Sequence, residues 1–183
     1  MSAGAIPPAV IAAAVAEVRA LLRLEGAGEQ ALLERLAATA IALGEAFTGT
    51  LFVRRTMEDV LSGGSAWQLL RAMPVSAIAG VAGLPADGPP YLLPTAGYAI
   101  DIDAEGRGWV KVSAPGAAGR LAVTYTAGLS PDWVGLPAPI AQGVVALAAH
   151  LFADRETARQ PPAAVAALWR PYRRMRLAQE RRA

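Results

Sequence analysis

The stretch YAIDIDAEGRGWVKVSA, residues 98–114, alternates apolar and polar side chains on both sides of a Glu-Gly-Arg-Gly turn, which is the pattern of a β-hairpin. A period of two cannot keep one face of a helix apolar, so the middle of the chain is β. Working outward, GRLAVTYTAG (119–128) continues the theme, with Leu121, Val123 and Tyr125 on one face. Upstream, LFVRRTMEDVL (51–61) and MPVSAIAGV (73–81) read as extended runs. Proline and glycine cluster over 83–97, which suits a loop and argues against a central strand.

Beyond the β region on either side, the period changes to that of a helix. After Pro7-Pro8, the residues Val10, Ala14, Val18 and Leu21 keep one face apolar until Glu25-Gly26-Ala27-Gly28 breaks the pattern. Glu29 opens a second helix, with Leu32, Leu33, Leu36, Ala40 and Leu43 on one side, that stops near Phe47-Thr48-Gly49. Pro137 and Pro139 start a third, whose buried stripe is Ile140, Val144, Leu147 and Leu151. RETARQPPAAV (155–165) is a linker into a final helix near Ala163, with Val165, Leu168, Trp169, Tyr172 and Met175 on its apolar face and a kink or restart at Pro171. The fold class is α+β: a helical bundle of two N-terminal and two C-terminal helices with a β-rich insertion. The expected divisions are 1–49 for the first helical pair, 50–136 for the insertion and 137–183 for the closing helices, with a basic tail at 169–183.

The chain has 183 residues, enough for one ordinary domain with a real core. Its net charge of +2 hides an asymmetry. Residues 1–153 carry 9 basic and 12 acidic side chains, whereas residues 154–183 carry 8 basic and 3 acidic. A mildly acidic body with a basic tail is a partner-binding layout. No cysteine is present, which excludes disulfides and thiolate chemistry. The N-terminus is apolar and alanine-rich but has no basic leading segment, and Pro7-Pro8 followed by Glu17 and Arg19 reads as a helix start rather than a signal peptide. The longest charge-free run, from Trp133 to Ala153, contains Pro137 and Pro139, which leave about fourteen residues of helix, short of the roughly 20 that a bilayer needs. No membrane role is expected.

Asp101-Ile102-Asp103-Ala104-Glu105-Gly106 imitates the first half of a calcium-binding loop, but the position that should hold a bidentate glutamate is Val112. Alternation places Asp101 and Asp103 on the outward face of a strand, opposite Ile100 and Ile102, and the hairpin-turn reading is preferred to a metal site. His150 is the only histidine and flanks an apolar stripe; with Asp154 as its one carboxylate neighbour at helical spacing, it reads as a structural, hydrogen-bonded residue. No serine sits in a G-x-S-x-G turn, and neither phosphate-binding glycine loop occurs. No catalytic residue, metal or cofactor is assigned. Of the four tryptophans, Trp67 and Trp109 read as core. Trp133 in a loop and Trp169 beside arginines suit a protein interface.

In order along the chain, these pieces resemble the head–tail connector (adaptor) proteins of tailed phages, and most closely the adaptor of bacterial gene transfer agents. The resemblance rests on ALLRLEGAGEQALLERLAATAIALGEAFTGTLF, MPVSAIAGV, YAIDIDAEGRGWV, VTYTAGLSPDWVGLPAPIAQGVVALAAHLFADRE and AAVAALWRPYRRMRL. It implies a non-enzymatic structural protein, made in the bacterial cytoplasm, that occupies the particle neck as a ring, commonly of twelve subunits. Its implied partners are the portal protein, a tail-side stopper or tail-terminator protein and further copies of itself, and double-stranded DNA passes through the channel without sequence-specific binding. The tail residues expected to dock on the portal are Trp169 and Tyr172 as anchors with Arg170, Arg173, Arg174 and Arg176 around them. The alternative is a nucleic-acid-binding protein that uses the six arginines of 169–183, although a channel through which DNA slides gains nothing from a tight grip on phosphates.

Overall fold

The computed structural model describes residues 2–26, 28–154 and 162–174. The chain is α+β, with helices at both ends and two antiparallel sheets in the middle, as the periodicity requires. It divides into a helical unit, built from Ile6–Val53 and Leu129–Met175, and a β unit built mainly from Arg54–Gly128.

The helical unit contains α1 (Pro8–Leu22), α2 (Gln30–Thr48), α3 (Ala138–Ala153) and the short α4 (Ala163–Trp169). Proline at the first helical position starts α1, since its missing N–H would have had no partner there. Helix α2 ends where Gly49 takes a left-handed conformation (φ +70°), and its N–H donates to the Glu45 carbonyl. The core is unusually small-grained: Ala14, Ala37, Ala40, Ala148 and Ala149 are all buried in it, beside Val10, Leu33, Ile41, Ile140 and Val144. Alanines bring helices close but fill little volume, so a few aromatic side chains supply the bulk. Phe52, which alternation put at the head of an extended run, is one of them. It is fully buried in this core, held by a hydrogen bond from its N–H to the Glu45 carboxylate (2.9 Å). Leu129 and Ser130 N–H groups donate to the Leu51 and Phe52 carbonyls, so the two segments leaving the helices run side by side.

The β unit has a five-stranded sheet in the order β1 (Ser2–Ala3), β2 (Arg55–Ser62), β8 (Ala118–Ala127), β4 (Val75–Pro85) and β5 (Tyr91–Leu92). A second sheet has the order β3 (Gln68–Leu69), β7 (Gly108–Val112) and β6 (Tyr98–Ile102). β2 pairs along its whole length with the central β8, and Leu121, Val123 and Tyr125 all face the core, as the alternation predicts. The Pro/Gly-rich segment does contain structure: β4 runs on to Pro85, and two residues of β5 close against it.

The hairpin β6–β7 forms with Ile100 opposite Val110, but its faces differ from the expectation. Ile100 and Ile102 are the exposed residues, at 47 % and 38 %, whereas Asp101 is half-buried. The reason is tertiary: β6 is an edge strand, so one of its sides lacks a neighbour whatever its residues are. Asp103 is drawn in by the turn. Its Oδ1 accepts from the Glu105 and Arg107 N–H groups, and its Oδ2 from Arg107 Nε and Trp109 Nε1. These four bonds use the acceptor positions that a cation would need.

Partial burial works to raise the Asp103 pKa, but the Arg107 N–H, the Trp109 indole, the Arg107 charge and the Glu105 N–H outweigh it and hold the carboxyl below its ordinary value. A lowered folded-state pKa stabilises the fold fully above the unfolded value of about 3.9, and that share is lost as pH falls through the folded value. Chemical denaturation from pH 7 downward therefore shows Asp103→Asn less stable than the parent at neutral pH, with the gap closing below about pH 4.

Candidate interaction surface

The basic tail begins on the helical unit, and the structure describes it as far as Arg174. Helix α4 stops at Trp169, and a tight 3-10 turn, Arg170–Tyr172, carries the chain past Pro171. This is the restart that the proline predicts. The Arg174 N–H then donates to the Thr48 carbonyl (2.8 Å), one of the acceptors left open at the C-terminus of α2. The tail is thereby fastened across the end of that helix, where the dipole favours positive charge.

Trp169 is only 3 % exposed. Its ring packs against Phe47 and Phe52, with centroids 6.2 and 6.1 Å away, and its Nε1 donates to the Ile140 carbonyl at 3.3 Å. Two glycines make the room. A Cβ at Gly143 would lie 2.6 Å from Trp169 Cε2, and one at Gly44 would lie 3.0 Å from its Cζ2. The indole is thus a core residue of its own chain and does not project as an anchor. Trp133 behaves alike: it is buried in the helical core and donates from Nε1 to Glu17 (2.6 Å). Both tryptophans that suggested an interface supply the volume that the alanine-rich core lacks. The sequence held a signal for this, because glycine inside a helix costs about 1 kcal/mol relative to alanine and calls for a reason.

The remaining tail residues lie around that buried indole. Tyr172 is half-buried against the helical core, while Arg170, Arg173 and Arg174 are exposed. The Arg173 guanidinium sits over the Phe47 ring, 5.5 Å from its centroid. Arg176 lies outside the described residues, as does Met175. The structure therefore gathers three cationic side chains on a short, well-fastened segment. Elsewhere in the helical unit, His150 Nδ1 lies 3.0 Å from Asp154 Oδ2, a local pairing between the last turn of α3 and the residue that caps it. Among the described residues no group of three or more acidic or histidine side chains could hold a metal ion, and no helix is long and apolar enough to cross a membrane.

No protein-family model matches this chain, and no curated protein is similar to it. Solved structures are. The neck of an empty gene transfer agent particle, computed with C6 symmetry, contains a chain of the same fold with a TM-score of 0.79 and 27 % identity, each chain covered over 100 % of its length. A chain of the native gene transfer agent virion matches with a TM-score of 0.75 and 27 % identity, over 97 % of this chain and 98 % of that one. The neck of the native particle computed with C12 symmetry gives 0.74 and 26 %, again over 100 % of both. The full length of the chain thus shares its fold with a gene transfer agent neck protein, in agreement with the resemblance drawn from its sequence.

Proposed function

We propose that this chain is a structural component of a particle neck, a head–tail adaptor of the gene transfer agent type. It forms a ring between the portal and the tail, through which DNA passes, and it carries out no catalysis. The observation that carries this reading is the end-to-end fold match, at a TM-score of 0.79, with a chain in the neck of a gene transfer agent particle. C12 symmetry in one of the similar necks supports a ring of twelve. On this reading its partners are the portal protein on one side, a stopper or tail-terminator protein on the other, and its own copies around the ring.

Within this function the tail docks on acidic residues of the portal. Arg170, Arg173 and Arg174 are exposed to make those contacts, with Tyr172 beside them on the core side, and Arg176, outside the described residues, adds a further positive charge. Trp169 serves from inside by holding the segment against Phe47 and Phe52. Each exposed arginine should contribute little alone, about 0.2–1 kcal/mol, so the test needs the set. Arg170→Ala, Arg173→Ala and Arg174→Ala together are expected to weaken binding to purified portal about tenfold or more while leaving the folded chain intact.

The decisive experiment for the function is cryo-electron microscopy of particles from the source bacterium, with this chain identified in the neck by mass spectrometry. Its absence from purified particles rejects the proposal. Duplex DNA binding that falls with salt at a log–log slope of about −5, with portal binding unchanged when 169–183 are deleted, makes the arginine tail a nucleic-acid grip instead.

A further inference from the structure

We infer that β6 is one half of the contact between neighbouring copies of this chain, and that it pairs with the Leu92 edge of the next copy. The inference rests on the ring proposed above and assigns a surface to it. The hydrogen bonds that bracket the hairpin are Ser113 N–H to the Gly97 carbonyl and Asp103 N–H to the Arg107 carbonyl. In an antiparallel ladder, bonded and non-bonded pairs alternate. The odd-numbered residues of β6 therefore bond to β7, and Tyr98, Ile100 and Ile102 turn their N–H and C=O groups away from it. Among the described residues none of those three backbones has a partner outside the ladder. At the same residues, Ile100 and Ile102 expose apolar side chains.

An unpaired sheet edge presents a row of N–H and C=O groups on which another strand can pair. The other three edges, β1, β3 and β5, are each two residues long. β6 has five residues, YAIDI, with neither lysine nor proline. An edge of this length that exposes two isoleucines beside outward backbone groups can receive a strand, whose main chain supplies affinity and whose side chains cover the isoleucines.

A ring sets the kind of strand. Cyclic assemblies with more than two subunits need a heterologous contact, in which two different patches meet. β6 against β6 would be self-complementary and would stop at a dimer. The second patch must therefore lie elsewhere on the chain, and the same β unit has one. Leu92 is 81 % exposed at the far edge of the five-stranded sheet. The Leu93 N–H donates to the Val81 carbonyl, so by the same alternation the Leu92 backbone also points outward. Leu92 thus offers an apolar side chain and an open peptide edge together, as β6 does.

The absence of cysteine makes the test clean. Ile100→Cys and Leu92→Cys are produced together in the source bacterium in place of the native chain, and purified particles are treated with a short bismaleimide. The expected result is a peptide cross-linked between the two introduced thiols, one at position 100 and one at position 92, that appears with both variants present and with neither alone. Ile102→Pro, which removes one outward N–H and leaves the ladder to β7 intact, is expected to abolish it while the isolated chain keeps its circular dichroism spectrum. Particles that contain the chain but give no such cross-link overturn this contact and leave the neck assignment standing. Cross-linking by Ile100→Cys alone shows self-pairing of β6 and overturns it too. A chain missing from the particles rejects the neck assignment itself.

Discussion

Trp169→Ala lowers the stability of the helical unit by about 3–5 kcal/mol, the range for emptying a large aromatic from a packed core. The change leaves a void lined by Phe47, Phe52, Gly44 and Gly143, and the Ile140 carbonyl loses the indole N–H. The surrounding alanines have no reach with which to close it. Denaturant unfolding gives the magnitude, and hydrogen exchange gives the place: protection falls in α2 and α3 while β8 keeps its own. Gly143→Ala tests the same slot from the other side. Alanine is the better helix former by about 1 kcal/mol, yet its Cβ collides with the indole, and overpacking of this kind costs about 1–3 kcal/mol. The net effect is destabilising in the parent and turns stabilising in a Trp169→Ala background, because the collision is then gone. Additive effects of the two substitutions would show that the indole does not occupy this slot. A portal anchor makes a different forecast: Trp169→Ala would spoil docking and leave the stability of the isolated chain unchanged.

Asp59→Ala destabilises the β unit by roughly 2–4 kcal/mol, because it orphans more than one donor. Asp59 is 1 % exposed, and its Oδ2 accepts from the Tyr125 hydroxyl (3.0 Å) and the Arg71 N–H (2.7 Å). Tyr125 in turn accepts from the Ala72 N–H (3.0 Å), so one carboxylate organises the 71–72 segment against the central strand. Tyr125→Phe leaves the Arg71 bond in place and orphans only the Ala72 N–H, so it costs less, about 1–3 kcal/mol. Asp59→Asn keeps an acceptor and removes a buried charge whose Oδ1 has no hydrogen-bond partner, so it is the mildest of the three. Here the loss of exchange protection appears in β2 and β8 and spares α3. If Asp59→Ala proved as mild as Asp59→Asn, the carboxylate would be incidental to the fold.

The two largest effects fall on residues that the sequence presented differently. Tyr125 stood out only as one of three apolar positions on a strand, and Asp59 as a charge in an extended run. Their partnership spans 66 residues. Trp169 stood beside arginines and suggested an outward role. Local pattern carries no information about which distant groups share a pocket, so both assignments had to wait for the packing.

What the sequence determined by itself is what depends on near neighbours. The periods of two and 3.6 place β in the middle and helices at the ends, Gly49 ends α2, Pro171 breaks α4, and Leu121, Val123 and Tyr125 share a buried face. Each follows from dihedral freedom or from side-chain spacing within about ten residues. Tertiary structure decided what depends on the total supply of volume and on the count of strands. The alanine-rich helical core drew Trp133, Trp169 and Phe52 inward because nothing else could fill it. The order β3-β7-β6 left β6 without an outer neighbour, which exposed Ile100 and Ile102 while four hydrogen bonds at the turn drew Asp103 in. An isoleucine does not encode whether a strand will lie beside it; the sheet order settles that.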